Sequence, residues 1–153
     1  MDFAESSFGL LMAKFENSVV INRTPEKVWK FYTNLSNIPK LDPYIREAKQ
    51  DSPGPFGVGS TFSLKMDKWT LVMRVTGFEP NRKLAYEAVS PDSLKGSTDS
   101  YSLEMLEGKT KLVEAMDVKS NGIFKLAGSF FGQRAKEDSG VRLNTLKHKL
   151  ESE

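Results

Sequence analysis

The chain contains no cysteine, which excludes disulfides, thiolate zinc sites and cysteine nucleophiles. It contains one histidine, His148, so a His-rich metal centre is excluded and a Ser-His-Asp mechanism would rest on that residue alone. No Asp/Glu run has the spacing of a calcium loop, and neither a metal nor a cofactor is expected. Charge of one sign is also lacking: 22 basic residues face 20 acidic ones, a formal net charge of +2, so a nucleic-acid partner is not expected. No apolar run reaches the roughly 20 residues that span a bilayer, so stable membrane insertion is not expected. Met1-Asp2-Phe3-Ala4-Glu5 shows no basic stretch ahead of an apolar segment and does not read as a secretory signal. A cytoplasmic protein is the expectation, and the sequons at Asn22 and Asn34 carry little weight without secretion.

Internal repeats, low-complexity tracts and linkers are lacking too, and 153 residues fit one domain. Residues 1–13 read as a tail or docking segment and 14–153 as the domain. What the sequence does contain is alternation. Phe15, Asn17, Val19 and Ile21 share one face of a first strand. Thr24-Pro25-Glu26 reads as a helix start, with Thr24 as cap and Pro25 in the first turn. Val28, Phe31, Tyr32 and Leu35 then form one apolar helical face. A further turn over Ile38 to Leu41 ends at Asp42-Pro43. Short strands follow over 44–49, 61–66, 70–78, 84–89, 98–106 and 110–118, separated by Gly, Pro and Asn turns. That is the pattern of an antiparallel meander. Gly108-Lys109-Thr110 looks like the end of a phosphate loop, but Leu103 stands where its first glycine must be, so it reads as a hairpin turn.

From about Ile123 to Leu150 the chain reads as one helix, about 40 Å long at ~1.5 Å per residue. Gly128, Gly132, Ala135, Ser139, Leu143, Leu146 and Leu150 form a stripe at helical spacing, small in its first half and large in its second. Large residues would fill a core, and small ones would leave room for a ligand above it. The alternative is that Gly128, Gly132 and Gly140 merely interrupt the helix, at about 1 kcal/mol each against alanine.

The stretch Val19-Val20-Ile21-Asn22-Arg23-Thr24-Pro25-Glu26-Lys27-Val28-Trp29-Lys30-Phe31-Tyr32 resembles the opening of START-like (SRPBCC) domains, especially the polyketide cyclase/dehydrase-like branch. Three further stretches are similar to that family: Gly54 to Gly59 to its Gly-rich turn, Gly77 to Leu84 to its strand–Pro–strand corner, and Leu143 to Lys147 to the end of its closing helix. The resemblance spans about residues 15 to 150. It implies an α+β helix-grip fold, a curved antiparallel β-sheet wrapped around a long C-terminal helix with two short helices after the first strand. It also implies a cavity between sheet and helix for sterols, lipids, plant hormones, quinones or aromatic polyketides. Two branches differ: the longer Gly-rich loop with lysine of the birch-pollen allergens and the Rieske Cys/His domain of oxygenase subunits are both absent. No catalytic motif of an aromatase or cyclase maps onto the sequence.

Strand parity supplies the candidate site. Glu114 shares a face with Leu112, Met116 and Val118, which would put a carboxylate on the cavity wall. There it would be a weak catalytic candidate, a general acid or hydrogen-bond donor; a structural pairing with Arg or Tyr is the alternative. Tyr86 lies on the Leu84 face and Tyr101 on the Leu103 and Met105 face, each an apolar ring with one hydroxyl. Asn17, Met73, Tyr86, Tyr101, Glu114, Gly128, Phe131, Gly132 and Ala135 are the expected ligand-binding residues. Phe130 and Phe131 read equally as a gate or as core. Asp99 has Tyr101's parity but sits near a strand start, which favours exposure, and Arg46 reads as a candidate for an acidic ligand group. Three functions compete. The leading one is binding or carrying a hydrophobic small molecule, such as a lipid or aromatic polyketide. The second is a metal-free cyclase/dehydratase using acid–base chemistry through Glu114 and a tyrosine. The third is a protein-interaction module such as a chaperone cofactor. Ligand identity, catalysis and oligomeric state stay open.

Overall fold

The period-two pattern becomes one sheet. The computed structural model describes the backbone of residues 2–5, 11–120 and 122–153, and the side chains of residues 13–120 and 133–153. Eight strands run in chain order: β1 (Asp2–Glu5), β2 (Leu11–Ile21), β3 (Glu47–Gln50), β4 (Thr61–Lys65), β5 (Thr70–Glu79), β6 (Lys83–Ser90), β7 (Thr98–Leu106) and β8 (Lys109–Ser120). Helices α1 (Pro25–Tyr32) and α2 (Ile38–Leu41) follow β2, and α3 (Gly122–Glu151) comes last. Every strand pair is antiparallel, and the spatial order is β1-β2-β8-β7-β6-β5-β4-β3. Only the β2–β8 pairing joins segments distant in sequence. Because β2 and β3 lie far apart in the sheet, α1 and α2 carry the chain from one side to the other. Val28 and Trp29 of α1 enter the core on the way. This is the expected helix-grip α+β architecture.

The first strand starts earlier than Phe15. Leu11–Ala13 already pair with Val118–Ser120, and Asp2–Glu5, expected as a tail or docking segment, pair with Leu11–Lys14 as an edge strand. The alternation of Ala13 and Phe15 inward with Lys14 and Glu16 outward simply continues backward along the strand. Pro25 opens α1 as expected, but the Thr24 side chain makes no capping bond; its carbonyl instead accepts from Lys27 N–H at 3.1 Å and Val28 N–H at 3.2 Å. At the β7–β8 hairpin, Glu107 and Gly108 both take positive φ (46° and 83°), the requirement of a tight two-residue turn that follows the strand twist. Met105, expected on the inward face with Tyr101, is 62% exposed because it lies at this hairpin tip beyond the core.

Two register shifts in the β5–β6 pair, at Val72/Met73 and Val75/Gly77, bend the sheet. An added Cβ on Gly77 would come within 3.2 Å of the Ala85 Cβ, so glycine permits this close approach. The bent sheet grips α3. Ser139, Leu143, Leu146 and Leu150, spaced four, three and four residues apart, are all buried and continue one helical face into the core. The three leucines share one core cluster with Ile21, Phe62, Val75, Leu84 and Leu112 from the strands.

Candidate functional site

Parity on β7 and β8 and the 3.6-residue period of α3 bring a polar cluster into the interior. Glu114, on β8, is fully buried. Its carboxylate accepts from the Tyr101 hydroxyl at 2.5 Å, from the Ser139 hydroxyl, and from Arg142 Nη2 at 3.2 and 3.3 Å. Arg142 Nη1 donates to Asp42 Oδ2 at 3.1 Å, so one guanidinium ties the sheet and α3 to the residue that ends α2. Asp42 Oδ1 also accepts from the Tyr44 N–H at 2.9 Å. The Tyr101 oxygen lies 3.0 Å from Asp99 Oδ2 as well as 2.5 Å from Glu114. Tyrosine has one hydroxyl proton, so with that proton directed at Glu114 the Asp99 contact is completed by a proton on Asp99.

The electrostatics point the same way. Burial alone would raise the Glu114 pKa, but the Arg142 guanidinium and the hydrogen bonds of its neighbours outweigh it and hold Glu114 below the usual range. Asp99 goes the opposite way: burial and then the Glu114 charge push its pKa well above the usual value, and Arg142 and Tyr101 offset only part of this. The two carboxylates are thus driven in opposite directions, Glu114 toward the ionised form and Asp99 toward the protonated one, the division that distinguishes base from acid in a polar site. Burial also raises the Tyr32, Tyr86 and Tyr101 hydroxyls, so all three stay neutral.

Beside this cluster lies a cavity of about 690 Å³, within the size range of small-molecule sites. The sheet supplies Leu71, Met73, Tyr86, Ala88, Tyr101 and Val118 to its wall. Helix α3 supplies Ala135, Asp138, Arg142, Leu143 and Leu146. Most of the wall is apolar. Its charged residues include Arg46, Asp67 and Lys68, and Arg46 pairs with Asp67 at 2.7 Å, both largely exposed. Two wall atoms are buried and have no hydrogen-bond partner among the described residues: the Tyr86 hydroxyl and Asp99 Oδ1.

Of the residues expected at the site, Met73, Tyr86, Tyr101 and Ala135 line the cavity. Glu114 is interior but one layer behind the wall, covered by Tyr101, Ser139 and Arg142. Asn17 donates from Nδ2 to the Lys136 carbonyl at 3.0 Å, a tie between β2 and α3 apart from the cavity wall. The side chains at Gly128, Phe130, Phe131 and Gly132 lie outside the described residues. His148 is exposed on the last turns of α3.

Sequence reasoning missed Arg142 and Asp42 and discounted Asp99. Arg142 sits three residues after Ser139, on the flank of the buried stripe, a position that by spacing alone is as compatible with solvent as with the core. Asp99 is half-buried on the cavity wall, with its Oδ1 covered, despite its place near a strand start, because the segment before it folds back. Leu94 is buried, and the Ser97 hydroxyl bridges the backbone of Lys119, donating to its carbonyl at 3.0 Å and accepting its N–H at 2.9 Å. The usable signal was the shared parity of Asp99 and Tyr101.

Solved structures match this fold over most of the chain. An aromatase/cyclase from a Streptomyces species superimposes with a TM-score of 0.78 at 16% identity, covering 92% of this chain and 94% of that one. Ara h 8.0201 gives 0.73 at 17% identity, covering 93% and 99%. The Aha1 dimer protein of Colwellia psychrerythraea gives 0.66 at 20% identity, covering 88% and 93%. No curated relative matches the sequence. No helix among the described residues is long and apolar enough to cross a membrane. The family model described as polyketide cyclase / dehydrase and lipid transport matches residues 12–151, from the start of β2 to the end of α3, and the chain belongs to that family.

Proposed function

We propose that this protein binds a hydrophobic small molecule in the cavity between the sheet and α3. The observation that carries the reading is the cavity itself: about 690 Å³ with a mostly apolar wall, beside the hydrophobic core. An interaction module would need that space filled by side chains. Membership of a family that includes lipid transport supports the reading. Transfer of apolar area from water drives such binding, at roughly 25 cal/mol per Å². Native mass spectrometry of freshly purified protein, together with titration of the neutral fluorophore Nile red, tests it. A co-purifying apolar compound or saturable one-to-one fluorescence is expected. No adduct and no saturable signal would refute it.

A second reading, acid–base chemistry on an aromatic or polyketide-like substrate, is favoured by one arrangement: the Tyr101 hydroxyl sits between Glu114 and Asp99, with Asp99 on the cavity wall and the two carboxylates shifted in opposite directions. In that reading the acid is Asp99, which lines the cavity, and not Glu114, which is screened from it. Glu114 would act through Tyr101 as a positioning residue.

A further inference from the structure

We infer that Tyr86 and Asp99 form a neutral polar pair that selects a ligand bearing an uncharged hydroxyl or phenol and rejects a carboxylate. This rests on the reading of the cavity as a ligand site and names the ligand chemistry within it.

Three observations support the inference. Tyr86 on β6 and Asp99 on β7 are direct cross-strand partners, so their side chains leave the same face of the sheet next to each other. Tyr86 is 5% exposed and its hydroxyl lacks a partner among the described residues, as does Asp99 Oδ1. A buried donor or acceptor left unmade is unfavourable, and one such atom is uncommon; two on neighbouring residues of one cavity wall mark a place where a ligand completes the bonding. The phenol of Tyr86 is held by ring contacts to Phe62 (4.8 Å between centroids) and Tyr101 (6.2 Å), which fix its direction without using its hydroxyl.

Charge decides what kind of group fits. Asp42, Glu114 and Asp99 share a single cation, Arg142, whose guanidinium already contacts two of them. No cation among the described residues is bonded to Asp99, and burial and the Glu114 charge push its pKa well above the usual value, toward the protonated form. A carboxylate ligand brought against Tyr86 and Asp99 would face the Asp99 carboxyl group with the Glu114 charge behind it, while the Arg142 guanidinium is already bonded to Glu114 and Asp42. A ligand hydroxyl can donate to Asp99 Oδ1 and accept from the Tyr86 hydroxyl, and so satisfies both without net charge. An amine would have to ionise Asp99 to be held.

The test uses three probes of one shape: 2-naphthol, 2-naphthoate and 2-naphthylmethylamine, each measured by displacement of Nile red near neutral pH. The wild-type protein is expected to bind 2-naphthol at least tenfold tighter than 2-naphthoate. Tyr86→Phe is expected to weaken 2-naphthol about five- to tenfold, the loss of one hydrogen bond. The same variant should unfold at a higher urea concentration than the wild type, because it removes a buried hydroxyl that makes no internal bond. A variant less stable than wild type with unchanged naphthol selectivity would mark the hydroxyl as structural and overturn the proposal. Amine binding tighter than naphthol would show an ionised Asp99 and overturn it too. Nile red binding with no preference among the three probes would sink the polar pair and leave the cavity reading standing. No Nile red binding at all would remove both.

Discussion

Arg142→Met breaks the cluster at its one cation and keeps most of the side-chain volume. Glu114 is fully buried and would retain Tyr101 and Ser139 as donors while losing its counter-charge. The cost is bounded, because Glu114 can take up a proton instead of remaining charged. From an ordinary glutamate value near 4.3, protonation at pH 7 costs about 3.7 kcal/mol, at roughly 1.4 kcal/mol per pH unit. At pH 5 the same step costs only about 1 kcal/mol. Loss of the bond to Asp42 adds about 1 kcal/mol at either pH. The expected destabilisation is thus about 4–5 kcal/mol at pH 7 and about 2 kcal/mol at pH 5, in line with other broken buried pairs. The sign follows from linkage. In the variant the folded-state pKa of Glu114 is raised above its unfolded value, so its deficit grows as pH rises and fades toward acid. In the wild type that pKa is lowered, so its contribution is present at neutral pH and is lost as pH falls. Urea unfolding followed by fluorescence of Trp29 and Trp69 at both pH values measures the difference, and Arg142→Met/Glu114→Gln should remove most of the pH dependence. A destabilisation below about 1.5 kcal/mol at pH 7, or one equal at the two pH values, would refute the reasoning.

Further outcomes follow from single residues. Asp99→Asn should gain stability over the wild type as pH rises above the ordinary carboxylate range, by up to about 1.4 kcal/mol per pH unit, because the raised Asp99 pKa costs the folded state there; parallel pH–stability curves would contradict this. Ala135→Trp places a large ring into the cavity from α3 and should lower Nile red affinity at least tenfold, with overpacking of about 1–3 kcal/mol; unchanged affinity in a folded variant would put the probe elsewhere. Gly140→Ala should raise stability by about 0.5–1 kcal/mol in urea unfolding, since a Cβ at this helical position meets nothing within 4 Å; a loss would show that the site is not open.

The run of strands after α2, the inward parity of Tyr86, Tyr101 and Glu114, and the buried stripe from Ser139 to Leu150 were all legible in the sequence. They depend on periods of 2 and 3.6 residues, which are properties of the local backbone. The start of β2 was harder to place, because Leu11 and Met12 extend a strand whose earlier partner, β8, is about 100 residues away. The site divided along the same line. Parity put Glu114 inside, but only the crossing of α3 over the sheet decided that Arg142, 28 residues later, would cover it and turn a candidate wall residue into the anchor behind the wall. The same guanidinium reaches Asp42, 100 residues back in the chain, a contact that no local spacing encodes. Asp99 became partly buried because the turn at Asp92–Leu94 and the Ser97 bridge to Lys119 close over the start of β7. Local pattern sets which way a side chain points; the packing of distant elements sets what it meets, and charge, proton and cavity are all decided by the second.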